Sequence, residues 1–143
     1  MGKRIDGKEI ALEIKEEIKE FVNKRKENNL NVPKVASILV GNDGGSLFYL
    51  NNQEKVATSL GMEFEKVHLN EEVTEEELIN KIDKLNNDNT VSGIILQLPL
   101  PKHIDEKKVI SAISPKKDVD CLTFVNQGKL YMGEDTFMPC TPK

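Results

Sequence analysis

The sequence predicts an α/β fold of three layers, in which a mostly parallel sheet is flanked by helices. Short runs rich in aliphatic and β-branched residues occur at 34–40, 63–69 and 91–96. The longer segments between them carry apolar residues near helical spacing. Three apolar residues follow one another at 94–96, which suits a strand covered on both faces, as in a parallel sheet.

Composition and charge argue against several classes of function. The chain has 143 residues, 38% of them hydrophobic and 31% charged, which is typical of one soluble globular domain. A formal net charge of -4, with aromatic residues at only 5%, predicts no nucleic-acid partner. No apolar run is long enough for a signal peptide or a membrane span. The two cysteines, Cys121 and Cys140, predict neither a disulfide framework nor a metal site, so we expect a cytoplasmic protein.

The first half of the chain divides into helix, strand and helix. One apolar face predicts a helix from residue 6 to about residue 28. A break with Asn and Pro then precedes the strand at 34–40. The strand leads into a glycine-rich loop at 41–46, which opens a second helix. Gly61 ends that helix, because glycine tolerates the left-handed conformation.

The second half repeats this alternation, with a further strand at 63–69. Thr74 and Glu77 form a capping box that begins a third helix. Gln97 follows the apolar run, and the prolines after it end the strand because proline cannot donate to the ladder. The remaining elements are a polar turn at 86–90, a short helix at 105–113, an acidic loop at 118–120 and a weakly helical patch at 125–130.

Three polar segments follow the predicted strands, at the edge where open α/β sheets bind ligands. They cover residues 46–53, 97–101 and 118–120. Tyr49 offers an aromatic face, and Gln53 lies one helical turn later, so the two side chains point the same way. An amide supplies a donor and an acceptor, and a carboxylate accepts two ring donors. These groups suit a flat heteroaromatic ligand.

Each of these residues also has a purely structural explanation. A tyrosine can pack at a helix start, a glutamine can cap a strand, and Asp-Val-Asp is common turn chemistry. The glycine loop lacks the lysine of a P-loop and the spacing of the dinucleotide fingerprint, so we interpret it as a tight turn. His68 and His103 are isolated, and we interpret both as surface or packing residues.

Several motifs together resemble one family. They are Ile5-Asp6-Gly7-Lys8, Val40-Gly41 with Ser46, Tyr49 and Lys55, the segment 93–104, Pro115 to Asp120, and Pro139-Cys140-Thr141-Pro142. In this order and spacing they closely resemble the bifunctional methylenetetrahydrofolate dehydrogenase/methenyltetrahydrofolate cyclohydrolases. The resemblance covers essentially the whole chain.

The resemblance implies a folate-binding domain that acts in one-carbon metabolism and purine biosynthesis. The family oxidises 5,10-methylenetetrahydrofolate with NADP and hydrolyses the methenyl product to 10-formyltetrahydrofolate. By position, Tyr49 would stack on the folate and Asp120 would hold the pterin. Gln97 would line the pocket beside the reacting carbon, with Leu98 and Pro99 as its wall.

One departure from the family concerns catalysis. The family has a lysine four residues after the tyrosine, where it is expected to move a proton during hydrolysis, and this chain has Gln53. A carboxamide does not titrate in the useful range, and losing a general acid-base group costs about 10²- to 10⁴-fold. Lys55 lies about 200° further round the helix and is no replacement. With Gln53, Gln97 and Tyr49 as the catalytic set, we expect the dehydrogenase to be kept and the cyclohydrolase to be weak or lost.

A second departure concerns length. Family members continue into a Rossmann domain that binds NADP, and residues 1–143 contain no such fingerprint. We expect these residues to be the N-terminal folate-binding domain alone, without a cofactor site and without turnover. The family dimer usually forms through the nucleotide domain, so we expect a homodimeric full-length protein and a monomeric fragment with some exposed apolar surface. Cys121 replaces the family glycine after Asp-Val-Asp.

Two other hypotheses stay open from the sequence. One is a folate-binding module without catalysis, in which Gln53 marks decay of the site, and the other is a generic α/β domain that shares only the scaffold. The presence of Tyr49, Gln97 and Asp120 together argues against the second hypothesis. Residues 1–143 do not distinguish NADP from NAD.

Overall fold

The computed structural model describes residues 5–140, in which helices and strands alternate up to the third strand and two further helices follow. In chain order they are α1 (Gly7–Glu27), β1 (Lys34–Val40), α2 (Gly44–Ser59), β2 (Glu63–Leu69), α3 (Glu75–Asn87), β3 (Gly93–Leu96), α4 (Glu106–Ala112) and α5 (Phe124–Met132). Thr141 and Pro142 of the last motif lie outside the described residues. Within the described range, no helix combines the length and the apolar character that crossing a membrane requires.

β1 is the central strand of a parallel sheet with the order β2-β1-β3. In the register, Val40 lies opposite Leu69 of β2, and Ile38 lies opposite Leu96 of β3. The predicted parallel sheet with flanking helices is confirmed. Because all three strands run the same way, their carboxyl ends meet at one edge of the sheet.

Alternate residues of β1 face an apolar core. Ala36, Ile38 and Val40 form one buried cluster with Ile94 and Leu96 of β3. Helices α3 and α4 add Leu78, Ile82, Leu85 and Val109 to this cluster, and Ile113, the residue that caps α4, also belongs to it. These two helices therefore cover one face of the sheet, which we call the core face.

Helix α2 lies on the opposite face of the sheet. Ser37 of β1 hydrogen-bonds to an α2 side chain, and Val35 and Ile95 line a groove with other α2 residues. Helix α1 packs near the end of α2, where a Cβ built on Gly61 would lie 3.2 Å from a methyl carbon of Val22. Gly61 has φ +79°, so both the space and the backbone favour glycine there. The fold has three layers, as predicted.

Two local predictions differ from the structure. Ile95 is only partly buried, although its neighbours Ile94 and Leu96 are buried, because its face of β3 opens onto the groove beside α2. The third helix continues to Asn87, whereas a turn was expected from residue 86. Asn86 donates to the carbonyl of Ala112 and accepts from the amide of Ser114, and these bonds hold the last turn of α3 against the end of α4.

Candidate functional site

Three polar side chains from three elements meet on the α2 side of the sheet. The Ser37 hydroxyl donates to Oε1 of Gln53 at 3.1 Å. The Gln97 amide Nε2 donates to Ser37 Oγ and to Gln53 Oε1, each at 3.0 Å. We call Ser37, Gln53 and Gln97 the amide cluster. All of its hydrogen bonds are between neutral groups.

The sheet register explains why these residues meet. Ser37 lies opposite Ile95, and in a strand the next residue on the same face is two positions on, which is Gln97. The amide nitrogen of Gln97 donates to the Ile38 carbonyl at 2.8 Å, so Gln97 extends the ladder by one residue. The Leu98–Pro99 peptide that follows is cis, and the chain leaves the sheet there.

Tyr49 and Gln53 line the same open groove, which confirms that their side chains point the same way. The groove has a volume of about 280 Å³. Its other lining residues are mainly apolar: Val35, Val56, Ala57, Leu60, Met62, Phe64 and Ile95, with Asn52. The Tyr49 side chain is 60% exposed, which leaves its ring available to a ligand.

Ser46, the other polar residue of the first turn of α2, is used by the helix itself. Its backbone amide and its hydroxyl both donate to Oδ2 of Asp43 at 2.8 Å. These bonds hold the pKa of the Asp43 carboxyl below its usual value. A carboxylate therefore occupies the end of α2 where a phosphate would bind, and the glycine loop forms a capped turn.

The acidic loop contains two carboxyl groups in different environments. Asp118 is buried and accepts from the amides of Leu122 and Thr123, at 2.9 and 2.8 Å, and from Nδ2 of Asn126 at 2.9 Å. The Asp120 carboxyl has no hydrogen-bond partner among the described residues, and burial together with the nearby Asp118 raises its pKa. Asp118 thus organises the loop, whereas Asp120 keeps its hydrogen-bonding capacity.

The loop is held directly against β3. The amide of Ile94 donates to the Lys117 carbonyl at 2.7 Å, and a parallel bridge pairs Ile94 with Asp118. A Cβ on Gly93 would lie 2.6 Å from a methyl carbon of Val119, so only glycine allows this approach. The segment that leads to Asp120 therefore runs alongside β3 toward the carboxyl edge of the sheet.

No titratable side chain bonds to the amide cluster among residues 5–140. Lys55 is exposed, in agreement with its predicted direction, and Lys66 pairs with Glu54 at 2.6 Å. The two histidines bond to backbone carbonyls, His68 to that of Gly41 and His103 to that of Val73. The same residues contain no group of His, Cys, Asp and Glu arranged to hold a metal ion.

Comparison with known proteins identifies the family. The family model for "Tetrahydrofolate dehydrogenase/cyclohydrolase, catalytic domain" matches residues 5–120. The chain belongs to this family. The resemblance carried by the sequence motifs is thereby confirmed.

Relatives in the tetrahydrofolate dehydrogenase/cyclohydrolase family match almost the whole chain. The bifunctional protein FolD of Clostridium beijerinckii is 66% identical over 142 residues, which are 99% of this chain and 50% of that protein. The crystal structure of the FolD enzyme from Campylobacter jejuni is 39% identical, with a TM-score of 0.92, and the match covers 96% of this chain and 49% of that one. The FolD of Trypanosoma brucei, solved with NADP cofactor and an inhibitor, is 34% identical with a TM-score of 0.90, over 98% of this chain and 48% of that one. The chain spans about half the length of these relatives.

The structure adds two residues to the candidate site that the sequence did not single out. Ser37 interrupts the apolar run of β1 after Lys34, which is the one mark the sequence gives it, and only the register opposite Ile95 shows that it faces α2. Asn126 bonds to Asp118 and to the Pro115 carbonyl across the acidic loop, a contact that sequence spacing does not reveal.

Proposed function

We propose that this chain is the folate-binding part of a methylenetetrahydrofolate dehydrogenase of one-carbon metabolism. The full-length enzyme oxidises 5,10-methylenetetrahydrofolate to the 5,10-methenyl form with NADP. Family membership supports the substrate class. The observation that carries the proposal is the amide cluster, which lies beside the exposed ring of Tyr49 and has no titratable partner among the described residues.

The proposed substrate contacts use side-chain surface that is exposed and polar atoms that have no hydrogen-bond partner within the described residues. The Tyr49 ring is exposed and stacks on the folate. The Asp120 carboxylate has no partner in the described chain and accepts the ring donors of the pterin. By the family resemblance, Gln97 would line the pocket beside the reacting carbon, with Leu98 and Pro99 as its wall.

The described residues do not fit a dinucleotide. The glycine loop lacks a phosphate-binding fingerprint, and Asp43 fills the N-terminus of α2 with negative charge. We therefore propose that NADP is held by a part of the protein outside this chain. The 143 residues alone bind folate but do not turn it over. Hydride transfer depends chiefly on holding the two carbons in line, and this chain positions only one of them.

We further propose that hydrolysis of the methenyl product is weak or lost. The family resemblance assigns proton movement to a lysine at the position of Gln53. In the cluster, Gln53 Oε1 accepts two hydrogen bonds from neutral groups, and a carboxamide cannot deliver or accept a proton near neutral pH. The missing group corresponds to about 10²- to 10⁴-fold in rate, or roughly 3 to 5 kcal/mol of barrier.

Two assays on the full-length protein test both proposals. One follows reduction of NADP with 5,10-methylenetetrahydrofolate, and the other follows hydrolysis of methenyltetrahydrofolate above the buffer rate. We expect the wild type to reduce NADP and to hydrolyse little, and Gln53→Lys to raise hydrolysis. Gln127→Lys adds the same charge on an exposed part of α5 and is the matched control.

The outcomes separate the hypotheses. Hydrolysis at a normal family rate in the wild type would contradict the role of Gln53. Absence of both reactions, with tetrahydrofolate still bound, would favour a folate-binding module without catalysis. NADP reduction by the 143-residue chain alone would contradict the proposal that NADP is held by a part of the protein outside this chain.

We also propose a homodimeric full-length protein in the cytoplasm, and a monomeric 143-residue chain. Apolar side chains on α1 and α5 are exposed in the described chain, among them Leu12, Ile14, Tyr131 and Met132. Light scattering on both lengths of protein tests the oligomeric state, and a dimeric 143-residue chain would contradict it.

A further inference from the structure

We propose that Ser37 is a positioning residue for this reaction. Its buried hydroxyl couples the Gln53 and Gln97 side chains, so that the cleft receives one amide donor and one carbonyl acceptor at defined places. This inference rests on the proposed dehydrogenase function. It concerns the side chain behind the substrate-facing groups, which no motif in the sequence marks.

The hydrogen bonds within the cluster determine which polar atoms of each side chain remain free to bond a ligand. Ser37 is 0% exposed, donates its only hydroxyl hydrogen to Gln53 Oε1, and accepts from Gln97 Nε2. Gln97 Nε2 donates a second time to Gln53 Oε1. The inner atoms of both amides are thus engaged with one another and with the serine.

Two polar atoms of the cluster have no hydrogen-bond partner within residues 5–140. They are Nε2 of Gln53, which is a donor, and Oε1 of Gln97, which is an acceptor. Neither is a fully buried unsatisfied atom, because no such atom occurs in the described chain. These atoms are therefore the ones available to a ligand in the groove that Gln53 lines.

A serine suits this position because a hydroxyl both donates and accepts. The terminal amide torsion of glutamine is broad, so an isolated glutamine can turn either way. The Ser37 hydroxyl bonds to both amides at once and links the orientation of one to that of the other. An aliphatic residue here would match its neighbours on the strand but would leave each amide freer to rotate.

The test uses a pair of variants of nearly equal shape, Ser37→Thr and Ser37→Val, in the full-length protein. Both place a β-branched side chain of nearly equal volume at a buried strand position, but only threonine keeps the hydroxyl, which valine replaces with a methyl group. We expect Ser37→Thr to keep kcat/KM for methylenetetrahydrofolate within about threefold of wild type, and Ser37→Val to lower it by about 5- to 20-fold. If the larger side chains prevent folding, Ser37→Ala replaces Ser37→Val as the variant without a hydroxyl, because alanine adds no volume.

Two further measurements separate positioning from simple stabilisation. In a Gln97→Ala background, Ser37→Val is expected to lower kcat/KM by no more than about twofold, because members of one hydrogen-bonded unit are not additive. Ser92→Ala removes a hydroxyl that accepts from the Lys34 amide before β3 begins, and we expect unchanged kinetics. A lower Tm with equal kcat/KM for threonine, valine and alanine at position 37 would overturn the inference.

Calorimetric titration with tetrahydrofolate keeps this inference distinct from the proposed function. If the wild type binds tetrahydrofolate but reduces no NADP, the dehydrogenase proposal fails. The part of the Ser37 inference that concerns placing the folate, rather than the hydride step, then stands if valine weakens binding by about 5- to 20-fold relative to threonine, and falls if both bind equally. A wild type that binds no tetrahydrofolate would overturn both.

Discussion

The two faces of the sheet are built from alternate residues of the same strands, yet they differ in almost every physical property. On the core face, Ile38 and Leu96 lie in a closed apolar cluster under α3 and α4. On the α2 face, Ser37 and Gln97 lie one position away and form a polar cluster beside an open groove. The period of the strand therefore places the apolar core and the proposed ligand site on opposite faces of the sheet.

The contrast also shows how one face supports the other. Ile38 has its side chain in the core, and its backbone carbonyl accepts a hydrogen bond from the backbone amide of Gln97. The Gln97 side chain, in turn, lies in the amide cluster. Rigid packing on the core face thus sets the position of a group on the α2 face. A slip of one residue in the register would exchange the two faces, so the apolar core also specifies the site.

The largest effect that tests this division comes from Ile38→Ala. Removing a fully buried isoleucine is expected to lower the free energy of unfolding by about 2–5 kcal/mol, because transfer and cavity terms add. Ser37→Ala, one residue earlier, is expected to lower it by only about 0.5–1.5 kcal/mol. Urea denaturation measures both. Equal losses would show that the two faces are not divided as we describe.

The loss in kcat/KM should follow the opposite order from the loss in the free energy of unfolding. Per folded molecule, Ile38→Ala retains the amide cluster and most of kcat/KM, whereas Ser37→Ala disturbs the cluster directly. The dehydrogenase assay, corrected for the folded fraction at each urea concentration, checks this. A larger kinetic loss for Ile38→Ala would mean that the core face controls the chemistry as strongly as the cluster does.

The next effect separates two carboxyl groups of the same loop. Asp120→Asn is expected to weaken tetrahydrofolate binding by about 10- to 100-fold, because charge-assisted hydrogen bonds contribute about 1.5–3 kcal/mol. Asp118→Asn is expected to lower the free energy of unfolding instead, because the carboxylate accepts two backbone amides and the Asn126 side chain. Calorimetry and urea denaturation of both variants measure the two effects. Destabilisation by Asp120→Asn would contradict this assignment.

The pH dependence of Asp120 has a defined sign. Burial, with the charge of Asp118, raises its pKa, so the folded state holds the proton more tightly than the unfolded chain. The resulting stability is present at low pH and is lost as the pH rises through the folded pKa. Asn cannot lose a proton, so Asp120→Asn avoids the loss of folding stability that ionisation of Asp120 causes. We therefore expect the variant to be more stable than wild type at neutral pH. Tetrahydrofolate binding to the wild type should weaken as the pH falls through the same pKa.

The fold was largely predictable because its signals are local. Glycine, proline and capping residues mark the ends of elements, and the Thr74–Glu77 capping box begins α3 as expected. The site was predictable only in part, because the amide cluster is a contact between distant residues. Ser37 and Gln97 are 60 positions apart, and a single serine in a largely apolar strand does not reveal its partners until the register is known. The roles of Tyr49, Gln53, Gln97 and Asp120 stay predictions.

A smaller effect compares the helix caps on the two faces. Thr74 caps α3 on the core face, and Asp43 caps α2 on the other. Changing either to alanine is expected to lower the free energy of unfolding by about 1 kcal/mol, because backbone amides lose their acceptor. Only Asp43→Ala should also raise KM for methylenetetrahydrofolate, since α2 carries Tyr49 and Gln53. Equal kinetic effects of the two changes would argue that α2 is positioned by its packing alone.

The smallest effect concerns Cys121, which directly follows Asp120. Cys121 has φ +56°, in the left-handed region that favours glycine, and its side chain is 1% exposed. Glycine would remove a backbone penalty of roughly 1–2 kcal/mol, and would also remove a buried thiol whose packing contributes about 1 kcal/mol. Cys121→Gly is therefore expected to change the free energy of unfolding by less than about 1 kcal/mol.

Cys121→Ala separates the two contributions, because alanine keeps the Cβ and its backbone penalty but loses the sulfur; the difference between the alanine and glycine variants then gives the backbone contribution. We expect the glycine variant to be more stable than the alanine variant by about 1 kcal/mol, the reverse of their order in a helix. If the cysteine also displaces Asp120, Cys121→Gly will change the dissociation constant of tetrahydrofolate, whereas an unchanged constant means that the loop holds Asp120 through Asp118 and Val119. We expect the second result, because those contacts to β3 and Asn126 are independent of residue 121.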